Sequence, residues 1–276
     1  MPDLRGCYNR LFAAVRAMTS FIESRHNPRF KQWTRYLRRP QEEDCPWIAV
    51  EGWKHLLEAC AWSPPQLLLY SDSDDRRLGP LLDRSREAVR LTPALIKRLS
   101  EVKTPQGVMA FFDKPRWSSG DLGEFVLVAD GLQDPGNLGT LLRSAAAVGA
   151  SMASTPGTVS RFNPKAVRAS AALIFSVPFL QDTSPSFLEE RGYRLWTASA
   201  QGRKPLFQTA FRGPTAVLLG SEGGGPGSES RQKAAGSLRI PMRPHAESLN
   251  ASVAGSLILY EWFRQRSQPD KEAAHE

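Results

Sequence analysis

Three short stretches of the chain concentrate residues able to hold a ligand closely and to manage charge at a reacting atom. The first runs from Asp130 through Asp134, Pro135, Gly136 and Asn137 to Gly139, with Arg143 four residues further on. Asn137 reads as an N-cap for the helix that follows. Arg143 then lies about one and a half turns into that helix, from where a long side chain reaches back over the helix start. A guanidinium so placed either offsets negative charge developing on a reacting oxygen or pairs with a surface acid. The second stretch is Gly220, Ser221, Glu222, then Gly223, Gly224, Gly225, Pro226 and Gly227, directly after the apolar Leu218 and Leu219. Glycine lets backbone approach a ligand without a Cβ in the way, although a simple connector has the same composition. A phosphate-binding loop needs a Lys-Ser/Thr pair after its glycines, and a dinucleotide fingerprint needs its glycines after the first strand of the fold; neither is present. The third stretch is Ile240, Pro241 and Met242, then Ser248, Leu249 and Asn250 at the entry to a long helix. Ser248 and Asn250 are capping candidates there, and His245 between them and Met242 is read as a loop residue with no catalytic part.

These stretches need a frame, and the apolar pattern supplies one. Strands are predicted at 124–130, 151–155, 193–200, 215–220 and 238–242, and helices at 138–148, 164–172, 184–191, 228–235 and 249–266. Apolar strands alternating with helices indicate a parallel sheet covered on both faces. Ligands of such sheets bind outside the carboxyl ends of the strands, which is where all three stretches fall. The first half reads as a smaller α/β domain over about 45–112, preceded by a basic amphipathic helix over 25–39, with Phe30, Trp33 and Leu37 on its apolar face. The predicted division is therefore an N-terminal extension (1–20), the smaller α/β domain with its basic helix (21–113), a Pro/Ser/Gly linker (114–123), a parallel-sheet domain (124–268) and a short tail (269–276).

The chain has 276 residues, with 36 Lys and Arg against 28 Asp and Glu, a net charge of +8. That excess favours a polyanionic partner, RNA or DNA. The three cysteines, Cys7, Cys45 and Cys60, form no pair, and the four histidines show no metal-ligand spacing, so neither a disulfide framework nor a metal is expected. Apolar runs such as Leu67 to Tyr70 are too short to span a bilayer, so no membrane partner is expected either. A cytoplasmic location follows from the cysteine usage, with an organellar alternative from Arg5, Arg10 and Arg16 near the N-terminus.

In this order and at these separations, the three stretches resemble the signature motifs of the SpoU/TrmH family of RNA ribose 2′-O-methyltransferases, within the SPOUT superfamily. The first matches D-P-x-N-x-G-x-x-x-R with a following Gly149-Ala150, the second a strand ending G-x-E-G, and the third I-P-M, E-S-L-N and a helix. More loosely, Ser24 to Lys31, Val50 to Gly52 and Lys103 to Val108 are similar to the substrate-binding domain of that family. The resemblance implies a parallel α/β domain tied in a trefoil knot, a homodimer and S-adenosylmethionine as cofactor. It assigns cofactor contacts to Gly220, Ile240 and Leu249, with Met242 and the turn after Ala198 lining the same pocket. Arg143 matches the Arg implicated in activating the ribose hydroxyl, with Asn137, Glu222, Ser248 and Asn250 around it. RNA contact falls to Arg25, Asn27, Arg29, Lys31 and Arg35, and ribosomal RNA of the 23S type is favoured over transfer RNA. The sequence departs from the family pattern at Gly224 to Gly227, at Pro244-His245 and at Ala251, all near the cofactor loops. The rival readings are a non-catalytic RNA-binding protein and a knotted methyltransferase acting on a base.

Overall fold

Five helices begin the same way, with a short polar residue followed by proline. Asn27-Pro28, Thr92-Pro93, Asp134-Pro135, Asn163-Pro164 and Ser184-Pro185 each place a side-chain oxygen on an orphan amide of the first turn, with proline in a position that needs no N–H donor. The helix starts are thus written locally. The computed structural model describes residues 20–267 apart from 43, 73, 74, 222, 223 and 244. These residues form two compact units, one comprising residues up to 115 together with 162–175, the other 116–161 and 176 onward. The expected division placed 162–175 with the second domain; the structure groups this segment with the first unit, where its helix lies against a strand of the smaller sheet.

The first unit is a five-stranded mixed sheet. In chain order its elements are β1 (Ser20–Ile22), α1 (Pro28–Arg38), β2 (Trp47–Glu51), α2 (Trp53–Ala59), β3 (Leu67–Tyr70), α3 (Leu78–Arg84), β4 (Ala88–Leu91), α4 (Pro93–Leu99) and β5 (Val108–Asp113). The strand order is β1-β4-β3-β5-β2, with β5 antiparallel to both its neighbours. Helix α3 begins within residues 71–80, which read in the sequence as polar and turn-rich, and runs beyond them; Leu78 and Leu81 are buried and tie it to the core. Phe30, Trp33, Tyr36 and Leu37 of α1 enter one core with Leu67, Leu69 and Phe111 from the sheet, as the helical spacing of those apolar residues predicts.

The second unit carries β6 (Phe125–Asp130), α5 (Pro135–Val148), β7 (Ser151–Ser154), β8 (Phe179–Leu180), α7 (Pro185–Glu190), β9 (Arg194–Ala198), β10 (Lys204–Pro205), β11 (Thr215–Gly220), α8 (Ser228–Lys233), β12 (Gly236–Arg239) and α9 (Ala251–Ser267); the intervening α6 (Pro164–Ala169) belongs to the first unit. All seven strands are parallel, in the order β10-β12-β9-β11-β6-β7-β8. Every residue of β6 and of β11 is buried, as a strand covered on both faces requires. The chain leaves β6 toward β7 and β8, then returns to build β9, β11 and β12 on the other side. Strand β11 inserts beside β6, and Gly220 registers opposite Asp130. The first and second stretches singled out in the sequence therefore end side by side, at the point where the strand order reverses.

Candidate active site

The helix after β6 starts three residues before the position predicted for it. Asp134 is the N-cap, its carboxylate accepting from the amides of Gly136 and Asn137, and Pro135 opens the first turn. Asn137 is therefore inside the helix, and its side chain is released from capping. Its Oδ1 accepts a hydrogen bond of 3.0 Å from Nδ2 of Asn250. Asn250 in turn caps α9, its own Oδ1 accepting from the amide of Ser252 at 2.9 Å and from the Ser252 hydroxyl at 2.6 Å. One asparagine pair thus joins the starts of α5 and α9. The two helices stay together further along, where the hydroxyls of Ser144 and Ser256 are 2.7 Å apart. Gly255 makes this approach feasible: a Cβ there would sit 2.4 Å from Leu141 and 3.0 Å from Leu219.

Beside Asn250 the carboxyl ends of β9, β11 and β12 open into a cavity of about 810 Å³. Its lining includes Ala198, Gly220, Ile240, Met242 and Leu249, the five residues expected to hold a cofactor, and also Ser248. The lining is apolar at Leu219, Leu238, Ile240, Met242 and Leu249, and elsewhere it is largely glycine, alanine and serine backbone. The loop after β11 turns back on itself: Ser221 bridges Gly225, whose amide donates to the Ser221 carbonyl at 2.9 Å. Gly225 adopts φ +62°, and a Cβ on Gly220 would lie 1.9 Å from the Gly225 backbone. Both positions require glycine.

An S-adenosyl nucleoside fits this lining. The apolar side chains would flank a flat base, the exposed backbone groups would meet ribose hydroxyls, and Arg203 and Arg231 would provide cations for a carboxylate. Among the described lining residues there is no acid.

The remaining sequence-predicted residues are distributed as follows. Arg143 is exposed on α5, six residues beyond Asn137 and so about 9 Å further along the axis; it does not line the cavity and makes no hydrogen bond or ion pair among the described residues. Glu222 lies outside the described residues. In the first unit, Asn27 caps α1 through its side chain, Arg29 pairs with Glu87 at 2.6 Å and covers the Trp33 ring, and Arg35 pairs with Asp44. Arg25 donates to the ring of its neighbour His26, and Lys31 is exposed. Sequence reading passed over two features. Asp130, buried at the end of β6, bonds two separate loops, as described below. On the smaller sheet, Phe21 is half exposed with the Arg90 guanidinium 5.3 Å from its ring centre. The first was legible as an acid ending an apolar strand; the second arises only from the pairing of β1 with β4, where Phe21 registers opposite Arg90.

A parallel sheet with a glycine-walled cavity at its switch point defines an α/β enzyme that binds a nucleoside-type ligand at its strand ends. Comparison with known proteins narrows this class. The model of the SpoU rRNA Methylase family matches residues 124–260. The 23S rRNA (guanosine-2′-O-)-methyltransferase RlmB of Photorhabdus laumondii is 32% identical over 239 residues, covering 79% of this chain and 97% of the relative. The 23S rRNA (guanosine(2553)-2′-O)-methyltransferase RlmP of Bacillus subtilis is 28% identical over 243 residues, covering 87% and 97%. The crystal structure of the SpoU methyltransferase AviRb from Streptomyces viridochromogenes in complex with AdoMet superposes with a TM-score of 0.80 at 29% identity, covering 87% of this chain and 98% of that one. The chain belongs to the SpoU rRNA Methylase family and has the SPOUT methyltransferase fold.

Proposed function

We propose that this protein transfers a methyl group from S-adenosylmethionine to a ribose 2′-hydroxyl of structured RNA, with ribosomal RNA of the 23S type as its substrate. The observation that carries the reading is convergence: the five residues expected at the cofactor, which come from the separate segments after β9, β11 and β12, line one cavity, with the Asn137–Asn250 pair at its edge. The names of the two ribosomal RNA relatives support the substrate. When bound, the cofactor supplies an electrophilic methyl group. The protein has to bind it, orient a ribose hydroxyl in line with that methyl and favour loss of the hydroxyl proton. Arginine is a weak base because its guanidinium holds its proton far above neutral pH. Arg143 therefore acts by placing positive charge beside the developing alkoxide and the adjoining phosphate, and its exposure leaves it open to an incoming RNA. Asn137 and Asn250 fix the helix starts between which the ribose docks, and Ser248 provides a hydroxyl at the cavity wall.

Substrate is held by the first unit through Arg25 and Lys31, together with Phe21 and Arg90, an aromatic and guanidinium pair of the kind on which unpaired RNA bases stack. The chain works as a homodimer through α9, whose Val253, Leu257, Tyr260 and Phe263 are exposed along its length at 47%, 39%, 52% and 42%. An apolar stripe of this extent on a polar protein marks an association surface. Titration calorimetry of the protein with S-adenosylmethionine tests the proposal at its base. Saturable one-to-one binding per chain is expected, and no heat of binding at millimolar cofactor would refute it and favour a non-catalytic RNA-binding protein.

A further inference from the structure

The carboxylate of Asp130 lies at the end of β6, in the seam between the two halves of the parallel sheet, and is 8% exposed. It does not line the cavity. Its two oxygens reach in different directions. Oδ2 accepts from the amide of Gly227 at 2.7 Å, closing the glycine-rich loop whose Gly220, Ser221, Gly224, Gly225 and Pro226 form one wall of the cavity. Oδ1 accepts from the hydroxyl of Thr155 at 2.8 Å, in the connection after β7. That connection is itself fastened to the segment leading into α5: the amide of Gly131 donates to the hydroxyls of Thr155 at 3.2 Å and Thr158 at 3.0 Å, and the amide of Val159 donates to the Leu132 carbonyl at 2.8 Å. Three strand-end loops, after β6, β7 and β11, therefore meet on one buried carboxylate.

A carboxylate is suited to this place because both its neighbours are donors and it can accept from both at once. An isosteric amide can accept with its oxygen from only one of them and must turn an N–H donor toward the other. A buried hydrogen bond to a charged group is also among the stronger ones, and breaking it leaves a donor without a partner.

We infer that Asp130 is a positioning residue for cofactor binding, which sets the wall formed by Gly220, Ser221, Gly224, Gly225 and Pro226 through the Gly227 amide and aligns that wall with the start of α5 through Thr155. The inference rests on the cofactor reading above and extends it to a residue that does not touch the cofactor. It predicts an effect on affinity rather than on the chemical step, because Asn137 and Asn250 are held by other contacts and neither Asp130 nor Thr155 bonds Arg143.

The experiment compares the wild type, Asp130→Asn and Thr155→Val in the full-length protein, measuring KM for S-adenosylmethionine, kcat with saturating RNA, and cofactor Kd by calorimetry. Asp130→Asn should raise KM and Kd for the cofactor about tenfold or more, as expected for loss of one hydrogen bond to a charged group, while kcat and RNA affinity stay within about threefold. Thr155→Val keeps the Gly227 bond and should raise KM by a smaller factor in the same direction, which gives the inference a second reading if the first variant does not fold. A fall in kcat at unchanged KM, or no change in either variant, would overturn it. Wild-type protein that binds no S-adenosylmethionine would overturn the cofactor reading and this inference together; wild-type binding with unaffected variants would overturn this inference alone.

Discussion

At the scale of single residues, the site separates groups that shape the cavity from groups that meet the reacting oxygen. Gly220 and Gly225 belong to the first set because no side chain fits where their loop closes. Arg143 is the residue proposed for the second. It leans on no partner among the described residues, and long helical side chains point back toward the helix N-terminus, which is where Asn137 and Asn250 meet. Removing it should therefore spare the fold and the cofactor. Arg143→Ala is expected to lower kcat by about 10²-fold, within the range for loss of one preorganised electrostatic contact, with calorimetric affinity for S-adenosylmethionine unchanged. Normal turnover in that variant would remove Arg143 from the chemistry. The same scale shows what residue types alone conceal. Asn137 looked like a cap, because asparagine before an apolar run usually is one. Asp134, three residues earlier and followed by proline, caps the helix instead, and the displaced Asn137 is thereby free to bond Asn250.

At the scale of elements, titration links β2 to α6. Glu51 ends β2; burial raises its carboxyl above the usual range, against the opposing hydrogen bond from Ser100 and the charge of Arg168 on α6. Arg168 also stands 3.9 Å from Glu101, and His55 lines the same small cavity. A carboxyl whose folded pKa is raised contributes stability below the unfolded glutamate value, about 4.3, and loses it as pH rises through the folded value. Glu51→Gln, which stays neutral, should therefore gain melting temperature relative to the wild type as pH is raised from 4 to 7. A difference that stays flat across that range would contradict this assignment. Much at this scale was legible in the sequence. Strand β11 occupies the predicted residues, and the starts or ends of most other elements shift by only a few positions, because apolar runs between proline-marked helix starts leave little choice of register. The misses have physical causes. Strands β8 and β10 are two residues long and owe their existence to neighbours already in the sheet. Helix α3 is a seven-residue turn stabilised by burying Leu78 and Leu81, which local polarity obscures. The grouping of 162–175 with the first unit depends on packing of α6 against β2, and no local pattern records that. For the site, the five cavity residues were legible through motif resemblance and Asp130 as an acid ending an apolar strand, whereas the pairing of Phe21 with Arg90 became visible only once strand neighbours were known.

At the scale of the whole molecule, the surplus of positive charge, the basic first unit and the cavity of the second combine into one account: an RNA is gathered by charge, and a methyl group is delivered at the strand ends of the parallel sheet. The exposed stripe of α9 is the surface proposed for a second copy. Tyr260→Glu, a change at an exposed position, should shift the sedimentation coefficient from that of a dimer to that of a monomer, and an unchanged coefficient would exclude α9 as the association surface. The central claim is ribose methylation itself. Its most direct test is mass spectrometry of nuclease-digested ribosomal RNA after incubation of unmodified RNA with the purified protein and isotopically labelled S-adenosylmethionine. The account predicts one new labelled nucleoside whose methyl group is on the ribose, absent when Arg143→Ala replaces the wild type; label on a base, or no label in RNA to which the protein binds, would contradict it.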